Sequence, residues 1–421
     1  MPIDKKTAFL VIHGVGPHMP FEVCDSFVSG FHKEFEKKEP GIKAQHKLVK
    51  REDWLGKGIN WVQNCVSLYV QENKGTIDIY EYFWDIYMVH EVSLSEAFQL
   101  LIKASKGAQR FYESVREDNP ELLIKATDLG EYGRKRKFGT GPVEFRPAGY
   151  LKLLGPSFGL LSRVLPYVPF LIKVIDKWAS TQIPILSHIF KAIGVFIEKA
   201  AKDFIGDVVG YLDLNPRSEH YETRQKIING ALEELRELMK GDRYDQIIVV
   251  GHSLGSVIAY DTLNRVIQDT NAERIKKEEA SKIIGLVTFG SPLDKIALFF
   301  RERVENKKEV QRQILANLHG FRTRSLVEDK PNIDIGNPME FNLSKTRWLN
   351  FYHTRDLISG KLDLYDLKNQ SLQHPEIKDG NILIDVKVPR TGAHSCYWGE
   401  HQGKDKGTNK MYEIIIKEFF R

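Results

Sequence analysis

The amino-acid sequence predicts an α/β protein with a mainly parallel central sheet flanked by helices, interrupted by a large, mostly helical insertion. Three observations carry this. Short apolar runs alternate with helical patterns, which indicates βα units. One run, DQIIVV, stops abruptly at Gly251-His252-Ser253-Leu254-Gly255 and gives way to a helical pattern, SVIAYDTLNRV. Residues 86–215 then break the alternation with apolar segments at helical spacing.

The elements follow in order. TAFLVIH (residues 7–13) is a short apolar run ending in His-Gly and reads as a buried strand. A helix follows from Pro20 to about Lys38, with Phe21, Cys24, Phe27, Val28 and Phe31 on one face. CVSLYVQ and TIDIYEYFW, separated by ENKG, read as two strands. Residues 218–240 form a charged amphipathic helix with Ile227, Ile228, Leu232, Leu235 and Leu238 at helical spacing. Strands are expected at 245–251, 282–290 and 347–353, and a last one at 381–388 (NILIDVKV).

Between Tyr150 and Tyr211 the insertion is rich in Leu, Ile, Val, Phe and Pro. Lys152, Arg163, Lys173, Asp176, Lys177 and Lys191 cut it into runs far shorter than the ~18–20 apolar residues that span a bilayer. Pro156, Pro166, Pro169 and Pro184 interrupt it further. Leu186, Ile189, Phe190, Ile193, Ile197, Ala200 and Phe204 recur at helical spacing. The expected organisation is a core of residues 1–85 and 216–421 carrying a helical cap, 86–215. That cap either packs on the core alone or acts as a lid that covers substrate or touches a membrane.

The 421 residues, 42% of them hydrophobic, supply a sizeable core, and the net charge of +5 is modest and well mixed. The three cysteines, Cys24, Cys65 and Cys396, are widely spaced without a CxxC pair, so neither a disulfide framework nor a zinc site is expected. The N-terminus enters a strand pattern almost at once and lacks the features of a secretory leader; a reducing, cytoplasmic setting follows as the expectation. No GxxxxGK[ST] phosphate loop occurs, and no helix-turn-helix, zinc or RNP signature supports nucleic-acid binding. Gly133-Arg134-Lys135-Arg136-Lys137 is a compact basic cluster; it reads as a solvated loop, with anionic lipid headgroups as the competing partner.

Ser253 carries the chemistry. A serine hydroxyl is a weak nucleophile until a base takes its proton, and it must be presented near backbone N–H donors. A tight strand-to-helix turn does both, but it crowds the residues two before and two after the serine, where Gly251 and Gly255 stand. The following helix begins behind the serine and turns its positive end toward developing negative charge.

GHSLGS in this setting, VIHGVG near the N-terminus and FGSPL at 289–293 together resemble the α/β-hydrolase superfamily, most closely its lipase- and esterase-like branch. The resemblance covers about 1–85 and 216–421. It implies the α/β-hydrolase fold, with Gly251-His252-Ser253-Leu254-Gly255 as its nucleophile elbow and His13-Gly14-Val15-Gly16 as its oxyanion loop. The oxyanion donors are then the N–H of Leu254 and that of Val15, with Gly14 as runner-up.

In this fold the chain order is serine, acid, histidine. His394 in TGAHSCYW follows the last expected strand and is the expected base, with His401 as runner-up. His353 reads as a strand-end residue, and His252 as a packing residue. The expected acid is Asp356, just past the strand RWLNFYH; Asp294 in GSPLDK is the rival, and Asp385 sits inside a strand pattern. Cys396 reads as a small buried residue.

These readings imply a serine hydrolase that cleaves carboxylic esters through an acyl-enzyme, needing no metal or organic cofactor. The apolar insertion suggests a lipid or hydrophobic ester as substrate, with peripheral contact to anionic membrane as an associated expectation. An acyltransferase or thioesterase on the same residues, and a non-catalytic interaction protein of the same fold, are the alternatives.

Overall fold

In the computed structural model of this chain the described residues are 4–15, 19–51, 61–70, 75–88, 211, 219–293, 340, 342–353, 356, 359–362, 365, 367, 370–374, 377, 379–384, 394, 396–398 and 406–420. The chain divides into two compact units. One is 1–87, 222–295 and 313–421; the other is 88–221 with 296–312, and nearly all of it lies outside the described residues. The basic cluster at 133–137, the helical-spacing segment at 183–208, and Gly16, Asp294, His319, Asp385 and His401 also lie outside them.

The first unit is built on an eight-stranded sheet in the order β2-β3-β4-β1-β5-β6-β7-β8. Its strands are β1 (Thr7–Ile12), β2 (Lys43–Arg51), β3 (Trp61–Tyr69), β4 (Ile77–Tyr82), β5 (Gln246–His252), β6 (Ile283–Phe289), β7 (Arg347–Tyr352) and β8 (Asn381–Leu383). β4, β1, β5, β6, β7 and β8 run parallel, and β2 and β3 complete one side antiparallel. Every residue of β1 and of β5 is buried, which is why both read as continuous apolar runs.

Alternation along the strands assigns the two faces. Phe9 and Val11 of β1, Ile248 and Val250 of β5, and Val287 and Phe289 of β6 join one apolar cluster with α1 (Glu22–Glu36) and the C-terminal helix, Lys406–Phe419. Phe9 meets the rings of Phe27 and Phe31 of α1 at 5.6 and 5.3 Å. On the other face Tyr260, from the helix that follows β5, meets Trp348 of β7 at 5.4 Å. The remaining helices, in chain order, are α2 (Glu219–Met239), α3 (Leu254–Asn271), the short α4 (Lys277–Ala280) and α5, the C-terminal helix already described. Cys24, Cys65 and Cys396 are all free and buried. Among the described residues no helix is long and apolar enough to cross a membrane, and no group of three or more His, Cys, Asp or Glu could hold a metal ion.

The structure adds or corrects elements. β2 (KAQHKLVKR) was not expected: it is an outer strand, and its Leu48 is exposed, so it lacks a clear apolar face. α5 was likewise not expected. Phe21 does not share the buried face of α1, because the helix starts one residue later; it stands exposed at φ 72° before the first turn. The last strand is shorter than its apolar run, ending at Leu383, with Ile384 still donating its N–H to the Tyr352 carbonyl at 2.8 Å. Residues 385–388 of that run lie outside the described residues.

Chain reversal in the sheet occurs at β1. The connection after β1 leads toward β4 and its antiparallel neighbours, whereas β5 through β8 extend away on the other side. The carboxyl ends of β1 and β5 therefore lie side by side at the topological switch point of the sheet, the end at which open α/β sheets bind ligands.

Gly30 of α1 sits under the Tyr412 ring of α5, and a Cβ there would lie 2.5 Å from the ring's Cζ. Alanine for glycine within a helix ordinarily stabilises by about 1 kcal/mol. Here the substituent would meet the ring of Tyr412, which is fully buried. Gly30→Ala is expected to destabilise the fold by roughly 1–3 kcal/mol instead, measured as a lower urea midpoint at unchanged slope.

Candidate active site

Ser253 occupies the turn between β5 and α3, with φ 49° and ψ −126°. A non-glycine residue in such a conformation costs on the order of 1–3 kcal/mol and must be held by its surroundings. Its N–H donates to the Phe289 carbonyl at 3.0 Å, and its carbonyl accepts from the Ser256 hydroxyl at 2.6 Å and the Ser256 N–H at 3.0 Å. Ser256 Oγ in turn lies 2.7 Å from Ser291 Oγ, so the FGSPL segment braces the turn.

The glycines around it answer to close packing. A Cβ on Gly251 would stand 2.5 Å from the Ser256 Cα, and one on Gly255 would overlap the Ile12 and His13 carbonyl oxygens. A Cβ on Gly14 would come within 2.7 Å of the Ser253 Cβ. The HGVG segment and the serine turn thus touch backbone to backbone.

Ser253, His394 and Asp356 are brought together. The Ser253 hydroxyl donates to His394 Nε2 at 2.8 Å, across 141 residues of sequence. His394 Nδ1–H donates to Asp356 Oδ2 at 2.9 Å. Asp356 follows β7, and a turn bond from its N–H to the His353 carbonyl, 3.1 Å, fixes its backbone. Ser253 is only 2% exposed, its hydroxyl turned onto the imidazole rather than outward, while the His394 side chain is 25% exposed. His353 lies just past β7, and its carbonyl accepts this bond.

His252 does more than fill space. Its ring lies 5.1 Å from that of His394, tilted by 31°, and its Nε2–H donates to the His394 carbonyl at 3.2 Å. Two further side chains at the site were not foreseen. The Tyr397 hydroxyl donates to Asp356 Oδ2 at 2.8 Å, and Ser359 Oγ lies 2.8 Å from that hydroxyl. The only local signal for Tyr397 was its position three residues past His394. Cys396 is buried, and burial, reinforced by the Asp356 charge, pushes its thiol up to about 11. It stays protonated and unreactive at neutral pH.

His13 is fully buried at the end of β1, its ring stacked on Trp84 at 5.0 Å and 9°. The Trp84 backbone N–H donates to His13 Nε2 at 3.2 Å, and the indole N–H donates to the His13 carbonyl at 2.8 Å. Since Nε2 accepts, the ring proton sits on Nδ1, which donates to the Gly14 carbonyl at 2.8 Å. Val15 is half-buried; Leu254 is buried and opens α3, so its N–H has no carbonyl one turn back within the helix. The chain beyond this loop is tied down by Glu81 of β4. That carboxylate accepts from the N–H of Phe21 and, at 3.4 Å, from that of Cys24.

A mostly parallel sheet, a strained serine between strand and helix, and a Ser–His–Asp hydrogen-bonded chain at the carboxyl ends of its strands define an α/β-hydrolase architecture. Residues 195–316 match the family model described as Lipase (class 3), a stretch that includes β5, the Ser253 turn, α3 and β6. No curated protein and no solved structure matches the chain. The match, over less than a third of the chain, supports a lipase-like serine hydrolase of the α/β-hydrolase superfamily.

Burial pushes the Glu81 carboxyl from 4.5 up to about 7, against the opposing pull of its two backbone donors. The folded protein then binds that proton more tightly than the unfolded chain. Its contribution is therefore fully present below about pH 4.5, declines as pH rises to about 7, and is absent above that. Relative to Glu81→Gln, wild type is expected to lose on the order of 3 kcal/mol of unfolding free energy over this interval, measured by urea unfolding at pH 5 and pH 7.5.

Proposed function

We propose that this protein hydrolyses carboxylic esters, with Ser253 as nucleophile, His394 as general base and acid, and Asp356 as the residue that orients and stabilises the imidazole. The observation that carries this reading is the continuous hydrogen-bonded chain from the Ser253 hydroxyl through His394 to Asp356, at 2.8 and 2.9 Å. Ser253 Oγ attacks the acyl carbon while its proton passes to His394 Nε2. The tetrahedral oxyanion collapses, and the alcohol leaves with that proton. Water, deprotonated by the same nitrogen, attacks the acyl-enzyme and releases the acid, restoring Ser253.

The oxyanion donors in this reading are the N–H groups of Leu254 and Val15. His13 supports the choice of Val15. In a trans peptide the C=O and the next N–H point in opposite directions. With the Gly14 carbonyl held on the His13 ring, the Val15 N–H is turned the other way. Gly14, Gly251 and Gly255 allow the two donor segments to converge, and Gly16 belongs to the same loop in the sequence.

We further propose that residues 86–215 form a helical cap on this core and that the substrate is a lipid or other hydrophobic ester. The lipase family match supports the substrate class. The grouping of 88–221 with 296–312 as a compact unit supports a discrete insertion. Peripheral contact with anionic membrane through the cluster at 133–137, in a cytoplasmic setting, belongs to this reading. It rests on five residues with four adjacent cations, Arg134 to Lys137.

Labelling with a fluorophosphonate probe, read by peptide mass mapping, is expected to mark Ser253, and His394→Ala to slow it about 10⁴-fold. In the same preparation p-nitrophenyl octanoate is expected to turn over faster than the acetate. Absence of an adduct on Ser253, with detergent present, would overturn the nucleophile assignment; a preference for acetate would overturn the lipid assignment. Wild type is expected to float with anionic liposomes at low salt and to stay with the soluble fraction on neutral ones.

A further inference from the structure

We propose that Tyr397 is a positioning residue that sets the basicity of His394, acting through Asp356 as the last donor in a directed hydrogen-bond chain that begins at Ser359. The proposal rests on the assignment of His394 as the base.

The chain's direction follows from proton counting. A carboxylate can only accept, so the Tyr397 hydroxyl proton points at Asp356 Oδ2, 2.8 Å away. That hydroxyl has no second proton. The 2.8 Å contact with Ser359 Oγ is therefore a bond that Ser359 donates and Tyr397 accepts. A phenol that accepts one bond donates a stronger one. Oδ2 is also the oxygen that takes the His394 Nδ1–H, at 2.9 Å. Two donors thus share a single carboxylate oxygen.

The two have opposing consequences for His394. A naked carboxylate stabilises the imidazolium strongly. A second donor on the same oxygen draws off part of its charge and weakens that attraction. The Tyr397 side chain is fully buried, and burial together with the Asp356 charge raises its phenol well above the ordinary range. It remains a proton donor throughout the working pH range. Its ring is held close to the Gly290 turn, where a Cβ would meet Tyr397 Cε2 at 2.9 Å and His394 Cε1 at 3.2 Å. Gly290 itself has φ 58°, a left-handed backbone that favours glycine.

Titratable groups beside the pair include the His252 ring, centred 5.1 Å from that of His394, and the Cys396 thiol near Asp356. Tyr397→Phe removes the phenol hydroxyl and leaves both in place.

The test is the titration of His394 by NMR in histidine-labelled wild type and Tyr397→Phe, with His394→Ala to assign the resonance. Tyr397→Phe is expected to raise the His394 pKa by roughly half a unit to one unit. The acid limb of kcat/KM for p-nitrophenyl butyrate should move up by the same amount. A fall in kcat of about tenfold at a KM within twofold is expected alongside. Ser359→Ala, which removes only the first donor, should produce a smaller shift of the same sign. An unchanged or lowered His394 pKa in Tyr397→Phe would overturn the proposal. The NMR titration needs no turnover, so a wild type that fails to hydrolyse esters would count against the proposed function while leaving this result readable.

Discussion

The carboxyl ends of β1 and β5 meet with no room for even one additional methyl group between them. Gly255 lies on the Ile12 and His13 carbonyls, and Gly14 lies on the Ser253 Cβ. This backbone-on-backbone contact is the constraint from which the site follows. It fixes the strained Ser253 turn against the HGVG loop, and so fixes the hydroxyl relative to both N–H groups proposed as donors. Strain of a few kcal/mol at one residue is sustained because strands on both sides are fully buried and paired along their length. Packing in the sheet thereby becomes placement at its edge.

Several supports surround the serine, drawn from the β4 segment as well as from the chain around β5 and β6. Ser256 and Ser291 hold its backbone, and the His252 ring lies tilted against the His394 imidazole that accepts its hydrogen bond. Trp84 sets the tautomer of His13 by giving its ring nitrogen a bond that only an unprotonated nitrogen can accept. Glu81 ties the next stretch of chain to β4. Each support is a hydrogen bond or ring contact with defined polarity, so the region is specified by which atoms carry protons as much as by shape.

The strand–turn–helix at Ser253 was legible because two local signals coincide there: an unbroken apolar run and a glycine on either side of the serine. The central strands were legible for the same reason, since burial on both faces writes itself as a continuous apolar run. β2 was not, because four of its nine residues, Lys43, Lys47, Lys50 and Arg51, are cations, and Leu48 faces outward. Proximity across the sheet leaves no local mark at all. Nothing near Tyr397 announces that Ser359, 38 residues earlier, would sit against its hydroxyl, nor does His13 announce Trp84, 71 residues on. Residue types and chain order suffice to nominate a base and an acid. Which neighbours tune them depends on strand order, which periodicity does not encode.

The strands that deliver the three proposed catalytic side chains are unequal. Ser253 hangs from β5, flanked by β1 and β6, whereas His394 follows β8, which among the described residues pairs with β7 through three residues at the margin of the sheet. Such a margin frays at far lower free energy than the interior opens. Mild heat or denaturant would therefore detach the imidazole from the hydroxyl while the central strands remain protected from hydrogen exchange. The protein would pass through a reversible and still largely folded state, so loss of the proposed site would precede its melting.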